Sequence, residues 1–109
     1  MYDMIEREQL LTASVQRPVD RVEAYRVTLP PGQPAGRHHH VGGVIGLVEQ
    51  GRIAYQLEGE DATELTAGDA FFEPAGANVS RFDNLSDAEP ATFVAYYLLS
   101  GDEPLITFD

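Results

Sequence analysis

The stretch Arg37-His38-His39-His40 contains all three histidines of the chain. An extended backbone places successive side chains on opposite faces, so His38 and His40 would share one face and His39 would take the other. Two imidazoles one pleat apart can chelate a divalent metal ion or present two hydrogen-bonding groups to a ligand. The sequence therefore makes His38 and His40 candidate site residues, whereas His39 is expected to point outward.

Short strand-like segments separated by turn residues must position these histidines. A Pro/Gly-rich loop over residues 30–36 precedes them, and an apolar run over residues 41–48 follows them. Residue type and alternation predict strands over 22–29, 44–49, 52–57, 64–65, 70–73, 79–83, 91–99 and 105–108. Only residues 7–16 fit a turn or two of helix. Many short strands with frequent turns indicate an all-β sandwich or barrel.

Composition limits the kinds of protein and partner. A chain of 109 residues with 43% hydrophobic residues fits one packed domain. Its 18 acidic and 7 basic residues give a net charge of −11, which argues against nucleic acid or an anionic membrane as a partner. The lack of cysteine excludes disulfides and thiolate metal sites. A charged N-terminal segment and short apolar runs favour a cytoplasmic protein without a signal peptide or membrane span.

Two motifs in the chain resemble those of the cupin family, specifically the small single-domain cupins. In the first motif, Pro31-Gly32 leads to His38-x-His40, and Gly51 closes the motif. In the second motif, five residues separate Gly68 from Pro74-x-Gly76, and Asn84 follows downstream. The resemblance covers roughly residues 22–100. It implies that residues 1–109 form a single double-stranded β-helix, or jelly-roll, barrel.

The resemblance also implies a degenerate metal site. A typical cupin holds Fe, Mn, Ni or Zn with three imidazoles and one carboxylate or amide. The family's glutamate ligand falls at Val44 and its last histidine ligand falls at Val79, and neither valine can coordinate a metal ion. Of the expected ligands, only His38 and His40 remain. The prediction for the cofactor therefore keeps two alternatives: a divalent metal ion, or no metal ion.

A substitute third ligand could come from a carboxylate on a neighbouring strand. Asp83 has the strand parity of Val79 and would reach the lumen if no bulge intervened, and Glu73 is the other candidate. Arg81 shares the same parity and could hold a substrate carboxylate in the lumen. Tyr96 and Tyr97 are adjacent on one strand, so only one of them can face the lumen.

Two functions of different classes follow from this arrangement. The first is a cupin that binds a small, partly apolar ligand in a lumen lined by His38, His40, Val44 and Val79, with Arg81 as a further candidate. The alternative is a metal-dependent isomerase, dioxygenase or cyclase that uses His38, His40 and a substitute carboxylate. Small single-domain cupins usually dimerise, often by exchanging an N-terminal strand. A homodimer is therefore expected, and the first 20 residues could be the exchanged segment.

Overall fold

The computed structural model describes residues 4–108. In this part of the chain, the secondary structure consists of nine β-strands and the loops between them. The strands are β1 (Arg21–Leu29), β2 (His38–His39), β3 (Val44–Gln50), β4 (Arg52–Leu57), β5 (Thr63–Thr66), β6 (Ala70–Glu73), β7 (Asn78–Asn84), β8 (Ala91–Leu99) and β9 (Thr107–Phe108). No helix in the described residues has the length and apolarity that crossing a membrane requires.

The strands form two antiparallel sheets. The first sheet has the order β1-β8-β3-β6, and the second has the order β5-β4-β7-β2-β9. Neighbours within each sheet are often distant in sequence, as in the pairing of β1 with β8. One hydrophobic core draws on both sheets. This is the double-stranded β-helix that the sequence predicts, and the prediction of an all-β fold is confirmed.

Alternation along the strands builds the core. On β8, Ala91, Phe93 and Ala95 are buried, whereas the residues between them are less enclosed. Phe71 on β6 pairs with Gly46 on β3, and a Cβ at Gly46 would lie 2.1 Å from the Phe71 ring. The missing side chain at Gly46 therefore makes room for an aromatic ring in the interior.

A β-bulge in β7 changes which side chains face inward. Leu57 pairs with Val79 whereas Gln56 pairs with Arg81, so Ser80 is an extra residue in the ladder. An extra residue reverses the alternation beyond it. Val79 and Phe82 are consequently buried, and Ser80 and Arg81 are both exposed.

Residues 4–20 have no regular secondary structure. The predicted turn or two of helix over residues 7–16 is wrong, because these residues have neither helix nor strand. A short isolated helix is marginal unless one face packs tightly, and Leu10 stays 52% exposed here. Residues from this segment instead border a shallow depression with Ile45, Leu47 and Tyr96 of the first sheet. Strand exchange in a homodimer stays a prediction, as does a cytoplasmic location.

Candidate metal and ligand site

Three potential metal ligands converge in the interior. His38 belongs to β2, His40 lies just beyond that strand, and Glu73 ends β6. Their ligand atoms all lie within 4.8 Å of one another. All three side chains are buried, at 4%, 6% and 3% exposure respectively. Residues from the two sheets thus meet in one compact group that can hold a metal ion.

Backbone carbonyls fix the orientation of both imidazoles. Nδ1 of His38 lies 2.8 Å from the Gly36 carbonyl oxygen, and Nδ1 of His40 lies 2.7 Å from that of Leu105. Because a carbonyl oxygen only accepts, each Nδ1 carries the proton and donates it. The lone pair of each neutral ring is then on Nε2. Imidazoles that ligate metals are commonly held in this way, with the second nitrogen bonded to a carbonyl or carboxylate.

Glu73 supplies a carboxylate oxygen that faces the His40 ring. Its Oε2 lies 2.9 Å from Nε2 of His40, which can donate to it only when the ring is protonated, and among the described residues Oε2 has no other hydrogen-bond partner. Burying a carboxylate oxygen in this way is costly unless a cation compensates it. A proton on His40 or a metal ion would each provide that compensation.

The electrostatics of His40 show the same demand for positive charge. Burial works against a charged ring, but the Glu73 carboxylate and the Leu105 carbonyl together outweigh it. The pKa of His40 therefore lies above its ordinary value. Two imidazoles and one carboxylate are a donor set that Fe, Mn, Ni and Zn accept, so the residues present fit a divalent transition metal.

The two valines at the expected ligand positions occupy different environments. Val44 lies directly across the β3–β6 ladder from Glu73 and lines the cavity beside the histidines. Val79 pairs with His38 but is fully buried in the core, and it is not among the residues that line the cavity. Of these two positions, only Val44 contributes to the cavity surface.

The strand bulge removes Arg81 and Asp83 from the site. Arg81 was a candidate for the lumen, but it is exposed and its Nε donates to Oδ2 of Asp83 at 3.0 Å. This correction follows from the extra residue at Ser80, which turns both side chains away from the interior. Of the two candidate carboxylates, Glu73 is the one that joins the histidines. His39 is half-buried and outside the cavity lining.

A cavity of about 520 Å³ opens over the three ligands. Its wall is mainly aromatic and aliphatic and includes Val27, Leu29, Phe71, Phe82 and Phe93. The C-terminal residues Ile106 and Phe108 also border it. A space of this size, with a few polar groups at one end, is typical of a site for a small organic ligand.

Tyr97 and the Leu105 carbonyl are parts of the site that the sequence did not single out. Tyr97 lines the cavity, and its ring centroid lies 5.5 Å from that of His40. Burial, together with the negative charge of Glu73, raises the pKa of Tyr97, which keeps the hydroxyl protonated. Alternation on β8 allowed either Tyr96 or Tyr97 inside, and the buried neighbours Phe93 and Ala95 give the parity that selects Tyr97.

The chain belongs to the cupin family. The family model for the cupin domain matches residues 25–97, which is most of the barrel described above. No curated protein matches the sequence.

Solved structures share the fold at low sequence identity. A DMSP lyase from Ruegeria pomeroyi superposes with a TM-score of 0.67 at 22% identity, covering 80% of this chain and 42% of that protein. A cupin-like protein from Thermotoga maritima gives 0.66 at 26% identity, with coverages of 80% and 63%. A sugar phosphate isomerase of the cupin superfamily from Silicibacter pomeroyi gives 0.63 at 27% identity, with coverages of 74% and 52%. The chain thus spans only about half the length of these proteins.

Proposed function

We propose that this protein binds a divalent transition metal through His38, His40 and Glu73, and that it binds a small organic molecule in the cavity above the metal. One observation carries the proposal. The three ligand atoms converge within 4.8 Å in the interior, where Oε2 of Glu73, 2.9 Å from Nε2 of His40, has no hydrogen-bond partner among residues 4–108. The sequence left metal binding open because two ligands were missing, and Glu73 now supplies one replacement.

The residues of the chain have separate tasks in this function. A bound metal would act as a Lewis acid toward an oxygen of the ligand. His38 and His40 present Nε2 because their Nδ1 protons are held by carbonyl oxygens. Glu73 provides the charge that favours a cation over a neutral ligand at this position. The apolar walls exclude water from the space around the polar end.

Metal content and thermal stability test the proposal. The protein is purified without an affinity tag, its metal is measured by elemental analysis, and Zn²⁺, Mn²⁺, Ni²⁺ and Fe²⁺ are added during thermal melting. We expect about one equivalent of metal, and stabilisation of about 2.7 kcal/mol at a hundredfold excess over Kd. The His38→Ala/His40→Ala variant should lose both effects, whereas the control His39→Ala should keep them. No metal and no shift at micromolar ion would contradict the proposal.

Catalysis is the second candidate function. Three protein ligands leave coordination positions open, as in catalytic sites that activate water or substrate. The similarity in fold to a sugar phosphate isomerase and to a DMSP lyase supports this candidate, although the fold does not select a reaction. Isomerase, dioxygenase and cyclase activities all remain candidates.

Access of an outside ligand to the metal tests this second candidate. The Co²⁺-loaded protein is titrated with azide while its visible absorption is followed. A saturable spectral change that disappears in Glu73→Gln is expected if exchangeable positions face the cavity. A spectrum that azide leaves unchanged would argue for a metal with a purely structural role.

A further inference from the structure

The charged side chains that line the cavity are limited to one negative group, the Glu73 carboxylate, among the described residues. Among residues 4–108, the only carboxylate in the cavity lining is Glu73, and no arginine or lysine lines the cavity. All seven basic residues of the chain are arginines. Six of them form ion pairs with carboxylates elsewhere in the described structure: Arg17, Arg21, Arg26, Arg37, Arg52 and Arg81.

This distribution limits the charge that a ligand can carry. A divalent ion and the Glu73 carboxylate together leave a single positive charge at the polar end of the cavity. A ligand with one negative charge would neutralise it, but a second negative charge would be desolvated without a partner. The net charge of −11 would also repel a multiply charged anion during its approach.

The cavity wall selects for an apolar body. Phe71, Phe82 and Phe93 form a packed aromatic group with ring centroids 4.9 to 5.8 Å apart. All three rings border the cavity together with Val27 and Leu29. Burying the carbon skeleton of a ligand against these side chains contributes about 25 cal/mol for each Å² removed from water. A hydroxyl or phosphate group placed against these apolar side chains would lose its hydration without replacement.

The metal-ligand side chains and the Tyr97 phenol lie at the end of the cavity opposite the phenylalanines. Val44, which lies between Tyr97 and Glu73 in the register of β8, β3 and β6, separates the phenol from the carboxylate. Tyr97 lines the cavity, its ring centroid lies 5.5 Å from that of His40, and its hydroxyl can donate to a ligand. An oxygen of the ligand can be bound at this end while its skeleton lies against the phenylalanines.

We propose that the ligand of this cavity is a compact apolar molecule, neutral or with one negative charge, whose oxygen-bearing end faces His38, His40 and Glu73. The proposal rests on the proposed metal function for the polar end only. It excludes sugar phosphates, dicarboxylates and other multiply charged anions as ligands.

Three carboxylates that differ in apolar size and in number of charges test the proposal with zinc-loaded protein. Acetate has one charge and almost no apolar body, benzoate adds a ring, and terephthalate adds a second charge at the far end of that ring. Isothermal titration should show benzoate binding about tenfold or more tighter than acetate. Terephthalate should bind about tenfold weaker than benzoate. Equal affinities for acetate and benzoate, or terephthalate as tight as benzoate, would overturn the proposal.

A variant at the cavity border separates the effect of local charge from that of ligand size. Gln33 is exposed and lines the cavity, so Gln33→Arg would add a cation there without disturbing the core. Gln33→Arg should remove most of the difference in affinity between benzoate and terephthalate. Gln56→Arg adds the same charge outside the cavity lining and should leave the difference unchanged. A difference that persists in Gln33→Arg, or that disappears equally in both variants, would overturn the charge argument.

A neutral probe separates this proposal from the metal proposal. Acetophenone is added to metal-free protein, and the methyl resonances of Val44 in the cavity and exposed Val22 are compared. A saturable shift of Val44 alone is expected at millimolar probe. If zinc fails to bind while Val44 shifts, the metal function is overturned and the apolar ligand class stands. If zinc binds and Val44 does not shift, the ligand class is overturned.

Discussion

Glu73 lies directly opposite Val44 on the antiparallel β3–β6 ladder. Directly opposed residues on one face of an antiparallel pair have Cβ atoms about 4.5–5.5 Å apart. A carboxylate at either position can therefore extend toward the same part of the cavity. By resemblance to other cupins, position 44 is where the family's glutamate falls. In this chain the carboxylate lies across the ladder, and valine occupies the former ligand position.

Moving the carboxylate back across the ladder tests whether the two positions are equivalent. Glu73→Gln should weaken metal binding by about a hundredfold or more, because an amide lacks the charge that offsets dehydration of the ion. The double variant Val44→Glu/Glu73→Val should recover most of that loss. Titration with a competing chelator measures both affinities. Glu64→Gln is the control, since Glu64 lies at the surface and pairs with Arg52.

The same substitution should have the opposite effect on the metal-free protein. At a pH high enough to keep His40 neutral, Oε2 of Glu73 has no hydrogen-bond donor among the described residues, so under those conditions replacing a buried charge with a neutral amide removes an electrostatic cost. Metal-free Glu73→Gln should melt at or above the temperature of the metal-free parent. If it melts well below the parent, Glu73 stabilises the fold directly, and its role as a ligand would lose this support.

The C-terminal segment is expected to control metal affinity through His40. The Leu105 carbonyl accepts the Nδ1 proton of His40 at 2.7 Å and so keeps Nε2 available. Truncation before Leu105 should weaken metal binding by roughly ten- to a hundredfold, as loss of such a partner commonly does. Phe108→Ala keeps the carbonyl but removes a ring that borders the cavity. It should weaken benzoate binding and leave metal affinity unchanged. Equal metal affinity in the truncated and full-length chains would contradict this role.

How much of this site can be predicted from the sequence depends on how far apart along the chain the interacting residues lie. The pairing of His38 with His40 follows from the two-residue period of a strand, so it could be read directly. The sequence left Arg81 and Asp83 as candidates for the lumen on condition that no bulge intervened, and the extra residue at Ser80 reverses the alternation and excludes both. No glycine or proline there indicates a bulge.

Two further features of the site depend on contacts that a local pattern cannot show. The parity of Glu73 stayed open because the Pro74 corner follows it immediately. The contact between His40 and Leu105 joins residues 65 positions apart, and residues 105–108 predict a strand without showing its neighbour. Both features become apparent only when the sheets are assembled.

Asn84 is predicted to stabilise two neighbouring turns, the one that follows β1 and the one that follows β7, which also bond to each other through the Gly32 amide and the Ser86 carbonyl. Its buried Nδ2 donates to the carbonyls of Leu29, Pro30 and Glu89 at 3.1, 3.1 and 2.9 Å. Its Oδ1 accepts from the Ser86 amide. Asn84→Ala leaves these groups unpaired, and we expect a loss of about 2–4 kcal/mol in the free energy of unfolding by urea.

Two variants check that this loss comes from the amide. Asn84→Asp should cost more at neutral pH, because a carboxylate would face three carbonyl oxygens instead of donating to them. Asn78→Ala removes an amide that donates to the exposed Glu58, and it should change stability by less than about 0.5 kcal/mol. If Asn84→Ala were as mild as Asn78→Ala, the buried network would have no part in holding the turns.

Gly46 should be intolerant of even one methyl group because it determines the position of Phe71. A Cβ at position 46 would lie 2.1, 2.4 and 2.7 Å from three carbons of that ring. Gly46→Ala must push the ring away, at a cost of about 1–3 kcal/mol. Since Phe71 borders the cavity, the variant should also alter benzoate affinity. Gly46→Ala/Phe71→Leu removes the clash and should regain most of the lost stability. If the double variant were no more stable than Gly46→Ala, the cost would come from the backbone and not from the ring.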